Sequence, residues 1–296
     1  MTGAGDVRAA SSNGIETTDL LVPVEDAPPV PVRLHRPAAA SPEARLPVLI
    51  TFFGGAFSRG SIDDEQNVLL AERRCRAAGV IVAAVEYALA PRHLCPTPVL
   101  QGLAVLDHLR RHAAALGIDP ARVVLGGQSA GADIAAAIAL EDAARRGRTD
   151  GEQAAVCRLV LEAPVLDLSA QTVDARIPND MGLDAAGYLD YRRQVRETYQ
   201  GPGADPLDPL ASPLRHPGIA SAPPTLLLAA QDDPLRADAE AFHDALQLAG
   251  VPVVMLVVRG LTHDGFRAVG TDPAARRWHE VVEGELSRIA AGLSAM

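Results

Sequence analysis

Six short apolar runs, at 46–53, 80–87, 122–127, 158–163, 224–230 and 252–258, alternate with segments patterned as helices, at 63–78, 99–116, 130–146, 237–249 and 273–291. Several of these runs are apolar at nearly every position, as strands covered on both faces require. In the intervening segments the apolar residues recur at helical spacing, as Val99, Leu103, Leu106 and Leu109 do. Such alternation restricts the chain to a doubly wound, mostly parallel α/β sheet with helices on both faces. Two more strand-like runs, 19–24 and 30–36, flank a proline-rich turn and read as an antiparallel pair, making eight strands.

The chain has 296 residues, 48% of them hydrophobic, enough for one large α/β domain over 1–296 with a substantial core. Residues 1–14 are rich in Gly, Ala and Ser and read as a flexible tail. The stretch 167–214 breaks the rhythm. It is polar, carries Pro178, Pro202, Pro206 and Pro209, and holds one helical pattern at 185–199. A short crossover would suffice there, so the stretch reads as an insertion, a cap or lid. Met181, Tyr188, Tyr191 and Tyr199 either line a pocket beneath it or anchor it to the core.

Charge excludes several chemistries. All 27 basic residues are Arg against 37 Asp and Glu, a net charge of −10. Without Lys there is no P-loop lysine, no Schiff-base lysine and no Ser-Lys dyad. The acidic balance opposes nucleic-acid binding and attraction to anionic lipid. Cys75, Cys95 and Cys157 are odd in number and widely spaced, fitting neither a disulfide framework nor a zinc pattern. The first residues lack the apolar core of a signal peptide, and no apolar run approaches the roughly 20 residues of a membrane span. The expectation is a cytoplasmic protein with small, reduced thiols.

The sharpest local signal is Gly127-Gln128-Ser129-Ala130-Gly131, set between a strand and an Ala-rich helix. That context suits a nucleophile elbow, whose tight turn leaves no room for side chains two places either side of the Ser. It presents the hydroxyl at the positive end of a helix. A Ser hydroxyl needs a base. Of eight His, seven lie in strands, helices or loops where they read as solvated or structural. His263 differs, because it follows the last strand, at the sheet end where ligands gather in open α/β folds. Asp232 and Asp233 both follow the preceding strand and could orient it; the residues alone favour Asp233 only slightly, and Asp264 ranks last. Oxyanion donors are expected from the N–H of Ala130 and from the turn Gly54-Gly55-Ala56 after an earlier strand.

Taken together these motifs resemble the hormone-sensitive-lipase branch of the α/β-hydrolase superfamily, over nearly the whole chain. The family's His-Gly-Gly-Gly-aromatic motif is similar to Phe53-Gly54-Gly55-Ala56-Phe57, and its Gly-Asp-Ser-Ala-Gly elbow to residues 127–131 with Gln128 for Asp. The blocks Glu86-Tyr87-Ala88-Leu89-Ala90-Pro91-Arg92-His93, Ser212-Pro213-Leu214, Pro223-Pro224-Thr225 and Asp233-Pro234-Leu235-Arg236 also match, as does His263-Asp264-Gly265-Phe266, one residue longer than the usual His-Gly-Phe. The resemblance implies an α/β-hydrolase fold with a small inserted cap, a triad of Ser129, Asp233 and His263, and an oxyanion hole of Gly54, Gly55, Ala56 and Ala130, with Gly54 serving the turn. Two departures stand out: Phe53 replaces a His that braces the oxyanion loop by hydrogen bonding, and Ala56 replaces the third Gly. The chain begins close to the first strand, so a smaller cap and a more open pocket are expected.

The reaction implied is hydrolysis of small to medium acyl or aryl esters through an acyl-enzyme, without cofactor or metal. The same triad could serve an amide, a lactone or acyl transfer in tailoring a natural product. A different class, a ligand-binding relative that has lost the base, is disfavoured because all three triad residue types remain. The partner is a small-molecule ester. Members of the family often dimerise, so a homodimer is compatible with the resemblance.

Overall fold

A computed structural model describes residues 10–12, 14–148, 156–174, 177 and 180–293. The eight expected strands are present: β2 (Ile15–Val22), β3 (Val30–Pro37), β4 (Leu46–Phe52), β5 (Ile81–Val85), β6 (Ile118–Gln128), β7 (Arg158–Glu162), β8 (Thr225–Asp232) and β9 (Val253–Thr262). A ninth, β1 (Ala10–Ser12), corrects part of the expected tail, because these residues pair antiparallel with β2. The rest of that tail, 1–9 and 13, lies outside the described residues, as do 175, 176, 178 and 179 of the insertion. The helices are α1 (Glu65–Ala78), α2 (Thr97–Arg111), α3 (Ala130–Arg148), α4 (Ala185–Gln200), α5 (Arg236–Leu248) and α6 (Pro273–Ala290).

The sheet order is β1-β2-β3-β5-β4-β6-β7-β8-β9, antiparallel as far as β5 and parallel from there on. Alternation along the strands splits the core in two. Val48, Ile50 and Phe52 face one side with Val99 and Leu103 of α2, Ile134 and Ile138 of α3 and Phe242 of α5. Leu49, Val124 and Val160 face the other with Leu70 and Cys75 of α1 and Trp278 and Val282 of α6. Gly102 lets α2 and α3 approach closely; a Cβ there would lie 2.1 Å from Ile138 Cδ1.

The crevice of such a sheet opens where connections diverge, outside the carboxyl ends of the strands. Here that point is β4, which is followed by β5 on one side and neighbours β6 on the other. Register does the rest. Phe52 pairs with Gly127, so the loop after β4 and the turn after β6 leave the sheet at one level. Asp232 pairs with Thr262, so Asp233 and His263 emerge side by side.

The 167–214 segment leaves after β7 and returns before β8, its two ends clasped. Asp238 of α5 accepts from the N–H groups of Leu166 (3.0 Å) and Asp167 (3.2 Å) and from the Thr172 hydroxyl. Ser212 Oγ accepts from Leu168 N–H at 2.9 Å, and Leu214 N–H donates to Leu166 O at 3.0 Å. Asp184 caps α4 by accepting from Gly187 N–H at 2.8 Å. Tyr199, near the end of α4, stacks on Phe57 with ring centres 3.8 Å apart.

Candidate active site

Ser129 sits in the left-handed region, at φ 52°. Side chains other than Gly, Asn or Asp rarely adopt it, and a strained residue held by its surroundings marks a functional turn. The surroundings here leave no slack. A Cβ on Gly127 would lie 2.2 Å from Gly131 O, and one on Gly131 would lie 2.2 Å from Phe52 O. Ser129 N–H donates to Glu162 O at 2.9 Å, fastening the turn to the end of β7.

The three expected side chains meet. His263 Nε2 is 3.0 Å from Ser129 Oγ, and His263 Nδ1 is 2.7 Å from Asp233 Oδ2. A carboxylate only accepts, so Nδ1 carries the proton and Nε2 is left to accept from the Ser129 hydroxyl. The second Asp233 oxygen accepts from Leu235 N–H at 2.9 Å, which locks the 1% exposed carboxylate in place. The two aspartates differ in position: Asp232 is exposed, whereas Asp233 is buried against the imidazole. Asp264 turns instead to Arg267 Nε, 2.9 Å away. Burial opposes protonation of His263. The charge and hydrogen bond of Asp233, with the carboxylates of Asp264 and Asp180, outweigh it and raise the imidazole pKa above its ordinary 6.5.

Gly54, Gly55 and Ala56 line the same cleft as Ser129, and a Cβ on Gly54 would stand 3.2 Å from Ser129 Cβ. Ala130 opens α3, so its N–H has no intrahelical acceptor. Ala56 (φ 51°) and Phe57 (φ 62°) both hold left-handed backbone. The loop survives the loss of the bracing His by another route. Phe53 stacks on Tyr87 with ring centres 4.3 Å apart, and the Tyr87 hydroxyl donates to Phe53 O at 2.9 Å. Gly60 makes room for that ring; a Cβ there would lie 2.7 Å from Phe53 Cδ2. Glu86 accepts from Ile62 N–H at 2.6 Å and from the Ser61 hydroxyl at 3.1 Å, holding the loop's exit. These braces were missed in the sequence, although Glu86 and Tyr87 belong to one of its recognisable blocks.

A cavity of about 590 Å³ lies over Ser129 and His263, walled by the β4–α1 loop on one side and by Tyr188, Tyr191, Arg192 and Val195 of α4 on another. The His263 side chain is 23% exposed, so the cleft is open to solvent at its centre. Tyr199 does not line the cavity; it is fully buried against Phe57 and anchors the 167–214 segment. Among the described residues no cluster of three or more His, Cys, Asp or Glu forms a metal site, and no helix is long and apolar enough to cross a membrane.

A family model for the α/β hydrolase fold matches residues 49–267. An ethyl acetate hydrolase of Pseudomonas putida is 34% identical over 250 residues, covering 84% of this chain and 76% of that protein. The chain belongs to the hormone-sensitive-lipase-like carboxylesterases of the α/β-hydrolase superfamily. Carboxylic ester hydrolase LipN of Mycobacterium tuberculosis is 31% identical over 84% of this chain, which spans 64% of that longer relative. Among solved structures of this superfamily, carboxyl esterase 2 of the fungus Tuber melanosporum superposes with a TM-score of 0.81, at 28% identity over 95% of this chain and 90% of that one.

Proposed function

We propose that this α/β hydrolase is a serine carboxylesterase acting through Ser129, His263 and Asp233. The observation that carries the reading is the continuous line of contacts, 2.7 Å from Asp233 to His263 and 3.0 Å from His263 to Ser129. Ser129 Oγ attacks the ester carbonyl carbon while His263 Nε2 takes its proton. The carbonyl oxygen becomes an oxyanion, held by the N–H groups of Gly55, Ala56 and Ala130, with Gly54 shaping the turn. Asp233 keeps the imidazole in the reactive tautomer and stabilises the imidazolium. The intermediate collapses, the carbon–oxygen bond breaks, and the departing alcohol receives the proton from His263. Water then attacks the acyl carbon and gives its proton to the same nitrogen; the bond to Ser129 Oγ breaks, His263 returns the proton to that oxygen, and the acid is released.

The cavity volume falls within the range that encloses small and medium ligands. Val165, Tyr188 and Val195 offer apolar wall to an acyl or aryl group, and the 167–214 segment serves as the cap of a single domain. The reading extends to a cytoplasmic homodimer. Cys75, Cys95 and Cys157 are all free, as a reducing compartment keeps them. The ten-residue strand β9 forms one end of the sheet, an edge suited to pairing with a second copy.

A series of p-nitrophenyl esters tests the reading. Acetate through octanoate are expected to be cleaved, with palmitate far slower. kcat/KM is expected to fall with decreasing pH along a limb centred above 6.5, because only neutral His263 can take the Ser129 proton and its pKa is raised. Activity that persists undiminished well below that value would contradict the role of His263.

A further inference from the structure

The insertion reaches the His263 loop directly. The Asp180 carboxylate accepts from the N–H of Asp264, the residue after His263, at 3.0 Å. Asp180, Met181, Asp264 and Arg267 share one stretch of the cleft wall. Asp264 holds Arg267 with its own side chain, so its backbone N–H is what Asp180 engages. Asp233 approaches the imidazole from the end of β8; Asp180 brings a further carboxylate from the insertion. The other charged groups on the cleft are Arg59 and Asp64 of the β4–α1 loop and Arg192 of α4, whose Nη2 donates to Asp167 O at 3.0 Å.

We propose that Asp180 is a positioning residue, which ties the cap to the His263 loop and adds negative charge favouring the imidazolium formed when Ser129 gives up its proton. The proposal rests on the serine-esterase reading. Above the acid limb the resting imidazole is neutral and turns positive only when it takes the Ser129 proton, so a negative charge nearby stabilises the transition state more than the resting enzyme. The tie also makes the effect reciprocal. Charge on His263 favours the Asp180 carboxylate being held in place, and a carboxylate held in place favours charge on His263. Asp180 and Asp264 both contribute to the raised basicity of His263, after Asp233.

Two variants separate the parts of this role. Asp180→Asn keeps a carbonyl acceptor for Asp264 N–H but removes the charge, and Asp180→Ala removes both. The measurements are the pH profile of kcat/KM with p-nitrophenyl acetate and the pH dependence of Ser129 labelling by a fluorophosphonate. Asp180→Asn is expected to move the acid limb of both profiles down by roughly a third of a pH unit at low salt and to lower plateau kcat/KM by about twofold, because the same charge favours the imidazolium of the transition state. High salt should erase the difference, because exposed charges are screened. Asp180→Ala should show the same limb and lose a further factor of about 2–10 in plateau kcat/KM, the effect of one lost hydrogen bond. Wild-type limbs in both variants would overturn the proposal, as would equal plateau losses without a limb shift. A wild-type protein that cleaves no ester and takes no phosphonate would overturn the esterase reading itself, and this proposal with it.

Discussion

Ser129→Ala is expected to lower kcat for p-nitrophenyl acetate by about 10⁴–10⁶-fold while leaving the fold intact, as removal of a triad nucleophile does elsewhere. Alanine takes the left-handed backbone of position 129 no worse than serine does, and the flanking contacts of Gly127 and Gly131 are backbone contacts that the substitution leaves alone. Stability should therefore be nearly unchanged. Circular dichroism and urea melts would establish that the lost rate is chemical and not structural. What activity remains would come from the N–H donors of Gly55, Ala56 and Ala130, which the variant retains.

Glu162→Ala is the substitution expected to cost the most stability, about 3–5 kcal/mol in urea unfolding. Glu162 ends β7 directly beneath the elbow. One carboxylate oxygen pairs with Arg74 of α1, and the other accepts from Trp278 Nε1 at 2.7 Å. Arg74 is 3% exposed and Glu162 1%. Removing the carboxylate leaves a buried guanidinium and a buried indole N–H with no partner, and the penalty comes from those stranded groups rather than from the value of the pair itself. Trp278 is the single tryptophan of the chain, so its fluorescence reports on the site being disturbed. The main-chain carbonyl of residue 162 still receives Ser129 N–H in the variant, so activity should fall only as far as relaxation around the stranded groups displaces that carbonyl. A melt unchanged from wild type would contradict this account of the core beneath the elbow.

The sheet was legible because its strands carry apolar residues at nearly every position, and burial on both faces explains that pattern. Helix ends were less so. The periodicity that suggests a helix to 116 outlasts α2, which ends at Arg111 and passes through hydrogen-bonded turns before Ile118. The elbow could be read from its glycines, since steric exclusion admits nothing larger, and His263 from its place after the last strand. The choice of Asp233 over Asp232 depends on which side of β8 meets β9, a register that no local pattern carries. Phe53 in place of a bracing His looked like a loss when read alone. Its replacement, a stack and a hydroxyl from Tyr87, lies 34 positions away and could not be inferred from either residue separately. The Asp180–Asp264 tie is likewise a tertiary contact between an exposed loop and the His263 loop, with no periodicity to announce it.

The most direct test of the central claim is to treat the protein with a fluorophosphonate, weigh it intact and map the modified peptide. The account predicts one adduct per chain, on the peptide carrying Ser129, formed far more slowly in His263→Ala and absent in Ser129→Ala. An unmodified protein, or an adduct that persists in Ser129→Ala, would mean that the hydroxyl at the elbow is not the nucleophile.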